Sequence, residues 1–513
     1  MSCKPEHSVV EIGGAPLTIE QVLAVAELNA PVRLSGAADF VARIDAGATF
    51  LDELLSDGDS IYGVTTGYGD SCTVSVPPEL VADLPLHLTR YHGCGMGRML
   101  DAAGTLATLV ARLNSLAQGY SGVRPVLLER LALYINERVL PCIPSEGSVG
   151  ASGDLTPLSY VAAALVGERD VTFRGRPCTS RAALEALNLP PLGLAPKEGL
   201  ALMNGTAVMT GLACLAFGRA DYLSRLAARI TALASFAMRG NPGHFDPRLF
   251  AVKPHAGQIE AASWIWSDLG GDANAGEGPR LQDRYSIRCA PHVVGVLRDA
   301  LTWIRRDVEN ELNSANDNPI IDGLGRWLLH GGHFYGGHIA FAMDGLKTAV
   351  AGLADLMDRQ LALLVDSRYN HGLPHNLSGS TGARAAINHG FKAVQISASA
   401  WTAEALKQSL PAAIFSRSTE CHNQDKVSLG TIAARDCLRV LELVEQVAAA
   451  MILACLQGVR LAQREGNLPP PILAEFCAQF ADEFPFIDED RPLENELCAL
   501  ADAIRRRDWS LYA

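Results

Sequence analysis

Residues 147–154 read Gly147-Ser148-Val149-Gly150-Ala151-Ser152-Gly153-Asp154, and Leu155-Thr156-Pro157 follow. At the centre stand three small residues, Ala151-Ser152-Gly153, in a glycine-rich turn that feeds an apolar run from Leu158 to Val166. Glycine tolerates positive φ and lets backbone atoms approach closely. The Gly153 amide nitrogen could therefore reach the Ala151 carbonyl carbon. Ring closure there, with a second water lost from the Ser152 side chain, would yield 4-methylideneimidazol-5-one (MIO). That ring is an electrophile no ordinary side chain supplies. A plainer reading of the same residues is a helix start, capped by Ser152 or Asp154 and opened by Thr156-Pro157.

Four more clusters carry groups suited to a site. Tyr62 and Tyr68 stand in Tyr62-Gly63-Val64-Thr65-Thr66-Gly67-Tyr68-Gly69, a glycine-rich loop able to reach over a pocket. A phenol serves as a general base only if its pKa of about 10 is lowered by nearby positive charge or helix dipoles. The alternative is a turn with its tyrosines packed at the surface. In Gln282-Asp283-Arg284-Tyr285-Ser286-Ile287-Arg288, Tyr285 and Arg288 share one face of a helical turn. There an arginine fork could bind a carboxylate and a phenol relay a proton, unless Arg288 simply pairs with an acidic neighbour. The Asn/Asp-rich run from Glu309 to Pro319 reads chiefly as a turn satisfying its own backbone. His422-Asn423-Gln424-Asp425 either caps the long C-terminal helix or turns Gln424 toward a ligand. His330, His333 and His338 suggest a metal, but their spacings do not place all three on one helical face and no H-E-x-x-H is present, so none is expected.

The elements that must position these groups are helical. Leu106, Leu109, Leu113 and Leu116 recur about once per turn, as do Leu346, Val350, Leu353 and Leu356. Further helices are expected over Asp221–Met238, Pro291–Asn313, Phe391–Gln408 and Thr431–Gln463, with short strands near Val9–Ile12 and Val171–Phe173. Residues 242–254 and 270–276 read as a looped insert. Long alanine-rich helices packed side by side define a mainly α fold. The length of 513 residues allows roughly three domains. The expected division is an N-terminal part over 1–210, bearing the Ser152 turn, and a helical bundle over 211–513. With 43 basic against 56 acidic residues and no basic stripe, nucleic acid is not an expected partner. The longest uncharged apolar run, Val447–Leu456, is too short to span a bilayer. Twelve scattered cysteines without a C-x-x-C pair, and a start lacking the layout of a signal peptide, suit the cytoplasm.

Taken together and in order, these stretches resemble the MIO-dependent aromatic amino acid ammonia-lyases and aminomutases, the family of histidine, phenylalanine and tyrosine ammonia-lyase. The likeness runs from about Pro31 to the C-terminus. It rests on residues 62–69, 147–157, 201–206 (Ala-Leu-Met-Asn-Gly-Thr), 285–288, 313–319, 331–334 and 423–430. The resemblance implies a long-helix bundle of the histidine ammonia-lyase/fumarase-like type, assembled as a homotetramer in which each active site draws on three chains. By the same match Ala151, Ser152 and Gly153 are the MIO precursors and Tyr62 takes the β-proton. Arg288 holds the substrate carboxylate with Gln282 nearby, and Asn204 assists it and supports the ring. Tyr285 aids ring formation or amine proton transfer, while Phe334 and Gln424 line the pocket. The chemistry calls for such parts, because the β-proton is weakly acidic and ammonia leaves poorly unless the amine is activated.

Tyr91-His92 matches the family's selectivity pair. Histidine ammonia-lyases carry Ser-His there with a glutamate at the place of Gln424, phenylalanine enzymes tend to Phe-Leu, and many tyrosine lyases to His-Leu. Without that glutamate nothing ionised remains at that position to hold an imidazole N–H, whereas His92 could hydrogen-bond a substrate phenol. Tyrosine is thus the expected substrate, ahead of phenylalanine and histidine. Thr65, Tyr91, His333 and His389 depart from common family residues and leave the pocket's hydrogen bonds open. Three outcomes are distinguishable: a lyase releasing an arylacrylate, a 2,3-aminomutase re-adding ammonia at the β-carbon, or a non-catalytic scaffold with an uncyclised turn.

Overall fold

A computed structural model describes residues 8–271 and 278–512. Residues 272–276 of the expected insert lie outside that range. Long helices dominate the chain: Ala207–Ala237, Ala290–Leu312, Gly337–Val365 and Gly430–Arg464. The described strands form only two- and three-stranded sheets, so the fold is mainly α. Gly430–Arg464 buries Val440, Leu441, Val444, Val447, Met451 and Cys455 fully, while Arg435, Asp436, Arg439 and Glu442 give its first half a polar side. It is long and apolar enough to cross a membrane, and 89% of its most apolar window is buried inside the protein.

The helical periodicity marks the right segments but not every end. Helix Ala207–Ala237 starts well before Asp221, because the apolar residues Val208, Met209, Leu212 and Leu215 extend the buried row backward. Residues 242–254 are not a loop. Asp246 accepts the Arg248 amide at 2.9 Å and caps the helix Pro247–Ala251, while Phe245 and Phe250 are buried. Aromatic burial there outweighs the turn-like prolines and glycine.

The chain forms two compact units, each built from three segments. The first comprises Met1–Gly218, Arg305–Asp344 and Pro411–Arg435. In it Val10–Ile12 pairs in parallel with Val32–Leu34, and Val139–Pro141, Asp170–Phe173 and Arg176–Thr179 form an antiparallel sheet. Helix Ala102–Ala117, capped by the Asp101 carboxylate on the Gly104 amide at 2.7 Å, buries all four periodic leucines. Asn313 bonds both the amide and the carbonyl of Leu17, at 2.7 and 2.8 Å. That side of the asparagine-rich run is therefore structural.

The second unit comprises Arg219–Ile304, Gly345–Leu410 and Asp436–Ala513. Buried Arg229 and Asp268 pair at 2.7 Å beside Tyr512, whose ring stacks on Trp264 with centroids 4.8 Å apart. Gln457 donates to the carbonyls of Leu377 and Ile487 and accepts the Ile487 amide. Asp268 Oδ1 apart, these buried polar groups are paired, as burial requires.

Candidate active site

The turn at Ser152 is held from below by buried polar groups. Ser152 and Gly153 both adopt left-handed backbone, with φ of 52° and 77°. Gly153 lies against Gly205, whose carbonyl accepts the Asp154 amide at 2.7 Å, and a Cβ on Gly153 would overlap that carbonyl. Asp154 does not cap the helix Leu155–Leu165 that follows. Its carboxylate is fully buried and accepts instead from the Met209 amide at 2.9 Å, from Ser148 at 3.0 Å and from Thr431. The helix-cap reading of the turn thus gives way to a tertiary role, because donors from three segments already fill the carboxylate.

Asn204, at the end of helix Glu198–Met203, donates through Nδ2 to the Ser152 carbonyl at 3.2 Å. Its own backbone carbonyl is gripped by Arg112 at 3.2 Å, which also reaches the Asn316 carbonyl at 3.0 Å. Beside it Lys197 and Asp317 form a wholly buried ion pair at 2.5 Å. Burial lowers the Arg112 guanidinium to about 10, opposed by the charges of Asp317 and Asp154. Arg112 and Lys197 carry no signal in the sequence, whereas Asp317 stands in the Asn/Asp-rich run.

The Tyr62 loop forms a second wall. Thr65 ties its base together, accepting the Ile61 amide at 2.7 Å and donating to the Asp59 carbonyl at 3.0 Å, so this departure serves the loop itself. The Tyr62 phenol oxygen accepts the Gly69 amide at 2.8 Å. Burial pushes that phenol up, and the negative charges of Glu420 and Cys72 add to the effect against the Gly69 N–H.

A third wall is helix Leu84–Tyr91, which packs on the helices Leu155–Leu165 and Glu198–Met203 and ends at His92. Burial, helped by the Arg169 charge, lowers the His92 imidazole to about 4, so it is neutral at physiological pH. The fourth is a turn preceding helix Gly430–Arg464. His422-Asn423-Gln424-Asp425 does not cap that helix, which begins only at Gly430. Gln424 reaches across to donate to Ser152 Oγ at 3.3 Å.

These walls enclose a cavity of about 520 Å³ in the first unit, the size of a small-molecule site. Tyr62, Tyr91, His92, Ser152, Asn204 and Gln424 all line it, with Ala151 and Gly153 flanking Ser152 in the turn. Tyr68, the second tyrosine of that loop, lines it too, as do Leu88, Leu155, Leu200 and Glu420, which the sequence reading did not single out for the pocket. None of the described lining residues is lysine or arginine. Phe334 belongs to the same unit but does not line the cavity, nor does exposed His333. Gln282, Tyr285 and Arg288 lie in the second unit. There Tyr285 is 72% exposed, and Arg288 stacks on its ring at 4.7 Å while donating to the Asp283 carbonyl at 2.9 Å. His389, also in that unit, borders a separate cleft of about 410 Å³ with His375 and Lys392.

The turn fits the ring that the resemblance implies. Its two left-handed residues and the small-residue contact at Gly205 leave no room for a side chain on Gly153. The Asn204 side-chain carbonyl oxygen is buried without a hydrogen-bond partner, an unspent acceptor beside the turn.

Comparison with known proteins bears on the same residues. The model of the aromatic amino acid lyase family matches residues 17–482. The chain is 37% identical to an MIO-dependent tyrosine 2,3-aminomutase of Streptomyces globisporus, over 98% of this chain and 95% of that protein. It is 35% identical to a histidine ammonia-lyase of Sorangium cellulosum, with 96% of each covered. The crystal structure of tyrosine aminomutase from Streptomyces globisporus superposes with a TM-score of 0.90 at 36% identity, covering 97% of both chains. The fold and the relatives are those of enzymes acting on carbon–nitrogen bonds. The chain belongs to the aromatic amino acid lyase family.

Proposed function

We propose that this enzyme eliminates ammonia from an L-aromatic amino acid, tyrosine before phenylalanine or histidine, to give the trans-arylacrylate. The observation carrying the reading is that the Ser152 turn, the Tyr62 phenol and neutral His92 face one cavity. Ala151, Ser152 and Gly153 would form the MIO, held by Asn204 and Gln424. When present, that group supplies an electrophile that makes the amino nitrogen a better leaving group.

The chain's own groups do the rest. The Tyr62 oxygen accepts the β-proton. His92, uncharged, hydrogen-bonds the substrate phenol, and Gln424 offers no carboxylate to an imidazole. Among the described residues lining the cavity none is a lysine or arginine that could hold the substrate carboxylate. Arg288, with Gln282 and Tyr285, therefore comes from a neighbouring copy in a homotetramer, and Phe334 likewise completes the wall from another copy. Arg288 brought there would also draw the Tyr62 phenol down toward a useful basicity. Tyr285 serves ring formation or proton transfer to the amine. The eleven described cysteines are free, which suits a reducing cytoplasm.

A second reading, 2,3-aminomutase, is favoured by the likeness to the tyrosine aminomutase and by the pinned Tyr62 loop. Incubation with L-Tyr, L-Phe and L-His separately tests both. Ultraviolet absorbance follows the unsaturated acids and chromatography the β-amino acids. L-Tyr should give the highest kcat/KM for consumption. Intact mass lighter by two waters, with no amino acid consumed, would overturn the activity while sparing the ring.

A further inference from the structure

The imidazole of His92 makes no hydrogen bond to the described residues, so its place in the cavity wall depends on how its backbone is held. Its carbonyl lies 3.2 Å from Ser159 Oγ, which shares one hydrogen between it and the Thr156 carbonyl at 2.7 Å. That hydroxyl accepts in turn from Arg169 at 3.0 Å. The other terminal nitrogen of the same guanidinium donates to the Thr89 carbonyl at 2.6 Å, in the last turn of helix Leu84–Tyr91. The guanidinium also stacks on the Tyr160 ring at 4.3 Å, and the Tyr160 hydroxyl accepts the Gly95 amide at 3.1 Å. One cation thus fastens the chain just before His92, at His92 and just after it, directly or through one neighbour.

Nothing in the elimination uses Arg169, yet its seat is closely fitted. Its φ is 63°, left-handed backbone that a residue other than glycine seldom adopts. Its guanidinium fills the space that a Cβ on Gly93 would need. Beside it Glu168 pairs with Arg90 at 2.6 Å, so both side chains of this turn reach the helix that carries Tyr91 and leads into His92. The Arg90 charge is met by that carboxylate, whereas Arg169 bonds a carbonyl and a hydroxyl, neither of them ionised. A cation suits the C-terminal end of a helix. A planar fork also fixes two acceptors at a set spacing, which a lysine ammonium does not. Burial and this charge together keep the imidazole neutral.

We propose that Arg169 is a positioning residue that aims His92 at the substrate phenol and so sets the preference for a hydroxylated ring. This rests on the role of His92 proposed above. Arg169 touches no substrate atom; it acts through the backbone of residues 89–95.

The test uses the purified full-length enzyme and two saturated acids that carry no amine to eliminate, 3-(4-hydroxyphenyl)propionate and 3-phenylpropionate. Calorimetry gives the ratio of their Kd values for the wild type, Arg169→Gly and Arg169→Lys, each also combined with His92→Leu. Glycine accepts a φ of 63° readily, so Arg169→Gly deletes the side chain without straining the turn. It should lower the preference for the hydroxylated probe about tenfold, the scale of one net hydrogen bond. Arg169→Lys keeps the charge and one bond and should recover part of that preference. On the His92→Leu background neither change should move the ratio, since coupled residues are non-additive. If Arg169→Gly does not fold, Arg169→Lys carries the test with a smaller loss that again vanishes on that background. An unchanged preference in Arg169→Gly overturns the proposal, and so does a loss equally large with and without His92→Leu. A wild type that binds the two probes alike sinks phenol recognition by His92, and the role of Arg169 with it. Discrimination by a wild type that consumes no aromatic amino acid sinks the elimination and leaves Arg169 standing.

Discussion

Burial and the charges of Glu420 and Cys72 raise the Tyr62 phenol, and the Gly69 amide alone pulls it down. A phenol held this high needs, to serve as a base, a cation delivered by assembly or substrate. If Tyr62 takes the β-proton, Tyr62→Phe should lower kcat about 10²- to 10⁴-fold with little change in substrate binding. Its ionisation would set the acid limb of kcat/KM. Glu420→Gln removes a negative neighbour, lowers the phenol's pKa, and should move that limb to lower pH. A limb that stays put would mean another group titrates. His92 offers a separate test, because its imidazole stays neutral down to about pH 4. His92→Leu should cut the preference for L-Tyr over L-Phe by about 10- to 100-fold. An unaltered preference would place phenol recognition elsewhere. Much of this was legible residue by residue, since Tyr62, Ser152, Asn204 and Gln424 stand in short polar or glycine-rich runs between apolar helices. Glu420 was not, because one acid among 56 in a polar loop reads as solvated.

At the level of elements, the helices were legible from apolar spacing and the Ser152 turn from its glycines. What escaped was the support beneath that turn. Lys197 and Asp317 are 120 residues apart, and no periodicity links such partners. Gly205 shows how closely the turn depends on this layer. It has a φ of 157°, and a Cβ there would overlap the Arg112 guanidinium. Gly205→Ala should push Arg112 off the Asn204 carbonyl and shift the strand-like contact with Gly153. Intact mass should then report incomplete loss of the two waters in a protein whose circular dichroism stays helical. Full dehydration in that variant would show that the Gly205 contact does not govern ring closure.

For the whole molecule, the proposal places Tyr62 and Arg288 of one site on different copies. Tyr62→Phe and Arg288→Ala, each nearly inactive, should therefore complement when co-expressed. With random mixing about a quarter of sites regain both groups, as symmetric assembly allows. No recovery in isolated mixed oligomers would return the site to a single chain. For Gln282, Tyr285 and Arg288 residue types suggest a carboxylate clamp and a proton relay. Their destination was not readable, because a sequence carries no record of which copy supplies a side chain.

Asp154 has one more consequence. Its carboxylate is completed by Thr431, 277 residues further along. Translation runs from the N-terminus at about 5 to 20 residues per second, so the acid waits on the order of tens of seconds for that partner to be synthesised. If the Ser152 turn cyclises as proposed, its electrophile would accordingly be born late, once most of the polypeptide has emerged. A truncated product of interrupted synthesis would carry no reactive ring with which to trap cellular amines and thiols.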